Sequence, residues 1–218
     1  MTYRTDISFW DVDTRYDFMR NDEDHKGALY VPGAERIEPA LKQLTQIAAQ
    51  KNIRVIQPAD EHDENSEEIS TTPNFMTTFP AHCMRGTKGQ QCIPTTAVEG
   101  TYVVHWDEKT FDPEKIRTSR VIEITKDKFD IFYGTPAAPH TEKIFELVKT
   151  PTAVVYGVCT NVCDDYAVMG LRARGIEVYV PMDAIKELPT LPLDATLDKW
   201  RNAGVHFTTV NELEKMLE

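Results

Sequence analysis

Apolar residues recur along the chain in two alternating patterns. Ile7–Val12 (ISFWDV) is a short apolar run ending around an acid, the mark of a buried strand. From Gly33 to Lys51 the apolar positions Ile37, Leu41, Leu44, Ile47 and Ala48 fall at helical spacing. Pro39 suits only the first turn, so that helix starts late. Ile53–Gln57 reads as the next strand, then Val103–Trp106, Val121–Thr125 and Ala153–Val158. Asn161–Arg174 reads as a helix closed by Gly175 in a left-handed cap. Ile176–Val180 is a strand, Leu193–Ala203 a helix, and Val205–Thr209 a strand. Asn211-Glu212-Leu213-Glu214 reads as a capping box opening a last short helix.

Strands alternating with helices of this length predict βαβ units, hence an α/β fold with a mostly parallel central sheet between helical layers. A single domain spanning residues 1–218 is expected. Residues 59–101 break the pattern. They are rich in Thr, Pro, Asp, Glu and Gly, and a loop of that length inside a compact domain is usually either functional or disordered.

Composition narrows the classes. Hydrophobic residues make up 41% and charged residues 27%, enough for a core and too balanced for disorder. The formal net charge of −11 gives no electrostatic footprint for nucleic acid or anionic lipid. No apolar run approaches a bilayer span, so no membrane partner is expected. The opening MTYRTDISFWDVDTRYD lacks a basic region leading into an apolar stretch, so no signal peptide is expected. Four cysteines are too few for a disulfide scaffold and read as cytosolic thiols, which points to a cytoplasmic protein.

Chemistry in open α/β sheets gathers at the carboxyl ends of the strands. Asp11, Lys126, Cys163, Asp60 and His62 all fall there. Cys163 sits in the first turn of a helix, where the macrodipole and free N–H groups favour a thiolate; a buried structural cysteine is the alternative. Lys126 continues the apolar face of Ile122 and Ile124, and Lys128 competes with it for that face. Asp11 continues the face of Ile7 and Phe9. Asp60, His62 and His82 form a carboxylate–imidazole set suited to zinc, iron or manganese; a solvated acidic loop is the alternative. Cys83 and Cys92 near His82 offer a closed Cys/His zinc site that no CxxC pair supports.

These residues together resemble the isochorismatase-like cysteine hydrolases, and within them the nicotinamidases. FWDVDTRYDFM resembles the family's opening strand, VIEITKDKFDIFYGT its lysine segment, and VVYGVCTNVCDDYAVMGLRARG its nucleophile elbow. The lysine segment, with its lysine three residues before an aromatic, selects Lys126 ahead of Phe129. The resemblance implies a three-layer α/β/α fold and hydrolysis of a small amide, with nicotinamide, a molecule of NAD salvage, as the substrate. It implies Cys163 as nucleophile, Asp11 as proton carrier, Lys126 beside them, and the N–H groups of Cys159 and Cys163 as the oxyanion cradle. It also implies a cis peptide at Val158–Cys159. One divalent metal, zinc first and iron or manganese otherwise, would be held by Asp60, His62 and His82. Glu68 stands where many members carry histidine, and Glu67 is equally close. Phe18 and Phe79 would wall the substrate ring, although the stretch from Asp11 to Asp17-Phe18 is two residues longer than the family's. A metal-free relative acting on another small amide or carbamoyl compound is the alternative, and self-association into a homo-oligomer is open.

Overall fold

The computed structural model describes residues 3–218. Its centre is an eight-stranded sheet in the order β3-β4-β2-β1-β5-β6-β8, with β7 pairing beside β5. The strands are β1 (Ile7–Val12), β2 (Arg54–Asp60), β3 (Tyr102–Val104), β4 (Val121–Lys126), β5 (Thr152–Val158), β6 (Glu177–Pro181), β7 (Ile185–Lys186) and β8 (His206–Thr208). Every pairing is parallel. Strands β1, β4 and β5 are buried on both faces, as a sheet covered on both sides requires.

Helix α2 (Glu38–Gln50) buries Leu41, Leu44, Ile47 and Ala48, and Pro39 lies in its first turn as expected. Helix α5 (Cys163–Ala173) follows β5 directly, and Gly175 caps its end at φ 77°. Helices α6 (Leu193–Asn202) and α7 (Val210–Met216) complete the C-terminal part. The capping box lies two residues before its expected place: Thr209 is the N-cap, bonded to the Glu212 backbone, and the Glu212 side chain reaches back to Thr209. A threonine hydroxyl in extended backbone takes the cap, and the helix is under way before Asn211.

Three short helices have no counterpart in the apolar periodicity: α1 (Tyr16–Met19), α3 (Pro113–Thr118) and α4 (Thr141–Val148). At four to eight residues each, they hold too few turns to set a period. Strand β2 also runs further than its apolar stretch, carrying Pro58, Ala59 and Asp60 to the sheet edge beside β4. The register then fixes which side chains share a face. Trp10, Ile56 and Ile122 form one row, so Val12, Asp60 and Lys126 lie on the face of Trp10. Asp11 lies on the other.

Candidate active site and metal site

Lys126 is the last residue of β4 and is fully buried. Its Nζ donates to Asp13 Oδ2 at 2.9 Å and to Asp60 Oδ1, and stands 3.8 Å from Cys163 Sγ. A carboxylate oxygen from each of Asp13 and Asp60 and the Cys163 sulfur lie within 4.8 Å of one another. Burial opposes the lysine's charge, but Asp13, Asp60 and Cys163 more than offset it and hold Lys126 firmly protonated. Lys128 turns away and pairs with Glu67 at 3.3 Å and Glu68 at 3.7 Å.

The aspartate in this cluster is Asp13, and this corrects the expectation for Asp11. The Asp11 carboxylate lies on the opposite sheet face, where it accepts a hydrogen bond from Gln57 Nε2 at 2.9 Å. Asp13 has φ 51°, a left-handed conformation that aspartate tolerates, and it leaves the strand's alternation just past Val12. Its Oδ1 accepts the Asp60 N–H at 2.7 Å. Counted from Asp13, the two extra residues before Asp17-Phe18 vanish. Burial and the nearby Asp60 charge push the Asp13 carboxyl upward, against the pull of Lys126 and a hydrogen bond from Cys163.

Cys163 opens α5 at the carboxyl end of β5. Gly157 lets the elbow close against β1, because a Cβ there would stand 2.1 Å from the Val12 carbonyl oxygen. The Val158–Cys159 peptide is cis, matching what the resemblance implied. Inside the turn the N–H groups of Thr160, Val162 and Asp164 are bonded to backbone carbonyls. Those of Cys159 and Cys163 have no such partner among the described residues. Burial drives the Cys163 thiol well above its ordinary value, Lys126 pulls it back, and Asp13 and Asp60 push it further up. The thiol is protonated at rest and needs a base. Asp164, next in the helix, is fully buried with neither carboxylate oxygen bonded among the described residues.

One side of this cluster carries a second one. Ligand atoms of Asp60, His62 and His82 lie within 4.8 Å of one another. His62 Nδ1 donates to Asp127 at 2.7 Å, which leaves a buried Nε2 without a partner. His82 Nδ1 must carry its proton, because it bonds the Pro80 carbonyl at 2.9 Å. Its Nε2 then faces Asp60 Oδ2 at 3.9 Å. Two imidazole nitrogens and the Asp60 oxygen not bonded to Lys126 thus converge, each histidine oriented by a hydrogen bond on its far nitrogen. That is the donor set and tautomer pattern of a divalent metal site, and the residues fit such an ion. Burial holds the His82 imidazole toward its neutral, ligating form. At His62 burial is outweighed by the Asp127 hydrogen bond and the Asp60 charge, which raise its pKa, so a metal ion would have to displace a proton from its Nε2.

Glu68 sits beside this set but outside its tight spacing. Its Oε2 is buried and unbonded among the described residues, and burial, then the Asp60 charge, push its carboxyl up to about 7. Glu67 points to solvent with its side chain 86% exposed, so the inward-facing glutamate is Glu68. The Cys83/Cys92 zinc option is not assembled. Cys92 Sγ accepts from Arg15 at 3.1 Å, in an ion-pair network with Glu123 on the Asp11 face. Phe18 and Phe79 flank His82 with ring centroids at 5.8 and 6.1 Å, and Phe129 stands 5.5 Å from Phe79. Asp17 ties these loops together, accepting from the Cys83 N–H at 2.7 Å and His25 at 2.8 Å.

Residues 12–212 match the family described as Isochorismatase domain. The chain belongs to that family. No curated protein sequence matches it. Among solved structures it is similar to the nicotinamidase/pyrazinamidase of Bacillus subtilis, with 18% identity over 93% of this chain and 99% of that one, at a TM-score of 0.69. The pyrazinamidase of Pyrococcus horikoshii in complex with zinc is similar at 20% identity over 94% of this chain and 99% of its own, TM-score 0.70. N-carbamoylsarcosine amidase from Thermoplasma acidophilum is similar at 16% identity over 94% and 97%, TM-score 0.68. No helix among the described residues of this isochorismatase-family chain is long and apolar enough to cross a membrane.

Proposed function

We propose that this protein is a metal-binding cysteine amidohydrolase that converts nicotinamide to nicotinate and ammonia. The observation that carries the reading is the junction at Asp60, one oxygen of which bonds Lys126 beside Cys163 while the other faces His82. A nucleophile site and a metal site share one carboxylate, which suits a substrate with an amide on one side and a basic ring nitrogen on the other.

Asp13 takes the Cys163 proton as the sulfur attacks the amide carbonyl. Its raised pKa makes it a stronger base than an exposed aspartate, and Lys126 stays charged to stabilise the thiolate that forms. The N–H groups of Cys159 and Cys163 receive the oxyanion, each such donor typically worth about 3 kcal/mol. When the tetrahedral adduct collapses, the carbon–nitrogen bond breaks and Asp13 returns the proton to the departing amine, giving ammonia. Asp13 then removes a proton from water, which attacks the thioester carbonyl, the carbon–sulfur bond breaks, and Asp13 passes that proton to the departing sulfur, regenerating the Cys163 thiol. A bound divalent ion, held by Asp60, His62 and His82, would supply Lewis-acid binding of the ring nitrogen. Phe18, Phe79 and Phe129 would pack against the ring faces.

Purified protein incubated with nicotinamide and one equivalent of zinc, manganese or iron should release ammonia. Inertness toward nicotinamide together with Cys163-dependent ammonia release from an N-carbamoyl compound would replace this reading with the alternative amidase.

A further inference from the structure

We propose that Glu61 is a positioning residue that clamps the segment bearing His82 onto the strand end bearing Asp60 and His62; its link to metal binding rests on the reading above. Side chains alternate along Asp60-Glu61-His62, so Glu61 points away from the two ligands flanking it. It is fully buried, and its carboxylate is gripped from three directions. Arg85 Nη2 donates to Oε1 at 2.6 Å and Gln90 Nε2 to Oε2 at 3.3 Å, both from the loop that follows His82. His105 Nδ1 lies 2.9 Å from both oxygens, and Thr125 Oγ1 donates to Oε1 at 3.2 Å from β4. Arg85 is itself held by two 2.8 Å bonds to Asp107.

The backbone alone joins these two segments weakly. His62 N–H donates to the Cys83 carbonyl at 3.1 Å, and Arg85 N–H to the His62 carbonyl at 2.9 Å. Together they form one isolated bridge between His62 and Met84, with no strand to either side extending it. The spacing of His82 from Asp60 and His62 therefore depends on side chains that span the bridge. Glu61 spans it with a charged hydrogen bond to Arg85 and a second bond to Gln90. A carboxylate at this position costs much to bury, and its cationic partner sits on the segment that must be held.

The test uses the full-length protein with Glu61→Ala, Glu61→Gln and Arg85→Met. Zinc affinity is measured by competition with a chromophoric chelator, and amide hydrogen exchange is measured on metal-free protein. Glu61→Ala and Arg85→Met should weaken zinc by about 10- to 100-fold. The His62 and Arg85 amides should exchange at least about tenfold faster, while core amides of β1 and β5 keep their rates. Glu61→Gln, which retains an acceptor for Arg85, should fall between wild type and alanine. If the alanine variant does not fold, the other two carry the test. Wild-type affinity with wild-type exchange in a folded variant overturns the clamp, and so does acceleration spread evenly over the core. If wild-type protein takes up no zinc, the metal reading fails and the local exchange pattern alone decides the clamp.

Discussion

Asp13 and Lys126 meet as a fully buried ion pair, Oδ2 to Nζ at 2.9 Å, across strand ends that only the sheet register brings together. Asp11, two residues earlier in the chain, is buried as deeply but lies on the opposite face, bonded to Gln57. The two aspartates therefore make opposite predictions. Asp13→Asn should lower turnover of nicotinamide by about 100- to 10,000-fold, the usual range for losing a positioned proton carrier. Asp11→Asn should stay within a few-fold of wild type. An ammonia-release assay separates them, and the reverse pattern would restore Asp11 as the proton carrier.

Asp11 should instead declare itself in the pH dependence of stability. Burial raises its carboxyl to about 6 in the folded protein, against about 3.9 in an unfolded chain. The folded state thus binds this proton more tightly. The stabilisation is fully present below pH 3.9 and is lost as pH rises through 6. A shift of this size corresponds to about 3 kcal/mol at most. Asp11→Asn removes that slope, so its stability relative to wild type should improve from pH 4.5 to pH 7. Urea unfolding at the two pH values measures it, and a relative stability independent of pH would refute the assignment.

Lys126 balances both Asp13 and Asp60 in the buried interior. Lys126→Met keeps most of the length and strands two buried carboxylates, which should cost about 3–5 kcal/mol in urea unfolding. Lys128→Met, whose ammonium only bridges Glu67 and Glu68 near the surface, should cost less than about 1 kcal/mol. Iodoacetamide labelling of Cys163 at neutral pH should slow in Lys126→Met, because the positive charge opposing the raised thiol pKa is gone, and remain unchanged in Lys128→Met. Equal stability losses in the two variants would contradict the burial argument.

The sequence discloses the sheet, its parallel connections and most of the site because those features leave local traces. Buried parallel strands are apolar runs, and Cys163 and Lys126 sit where such runs end. The choice between Asp11 and Asp13 leaves no comparable trace in apolar patterning. It depends on the left-handed backbone at Asp13, which takes that side chain out of the alternation that keeps Asp11 on the opposite face, and that turn is a property of the folded strand end. One signal was available: Asp13 alone gives the opening motif its family spacing to Asp17-Phe18. Asp127, which orients His62, and Glu61, which faces away from the metal set, were invisible for a different reason. Their roles are fixed by partners 65 and 24 residues distant, His62 and Arg85, across an irregular loop.

His62 and His82 each commit Nδ1 to an oxygen acceptor and present Nε2 toward Asp60, so all three residues should be needed to hold a divalent ion. His62→Ala and His82→Ala should each lose bound metal and nicotinamide hydrolysis together. Glu68 differs, because its carboxylate lies outside the tight set formed by Asp60, His62 and His82. Glu68→Gln should therefore weaken metal affinity by less than about tenfold, the low end for a residue that only supports a site, while leaving one equivalent bound at saturation. Dialysis of wild-type protein against a chelator should abolish turnover of nicotinamide, and zinc, manganese or iron should restore it. Elemental analysis beside the ammonia assay reads both quantities on one sample. Full nicotinamide turnover by protein carrying less than about a tenth of an equivalent of any transition metal would remove the ion from the reaction. Loss of all metal in Glu68→Gln, matching the histidine variants, would instead promote Glu68 to a full ligand.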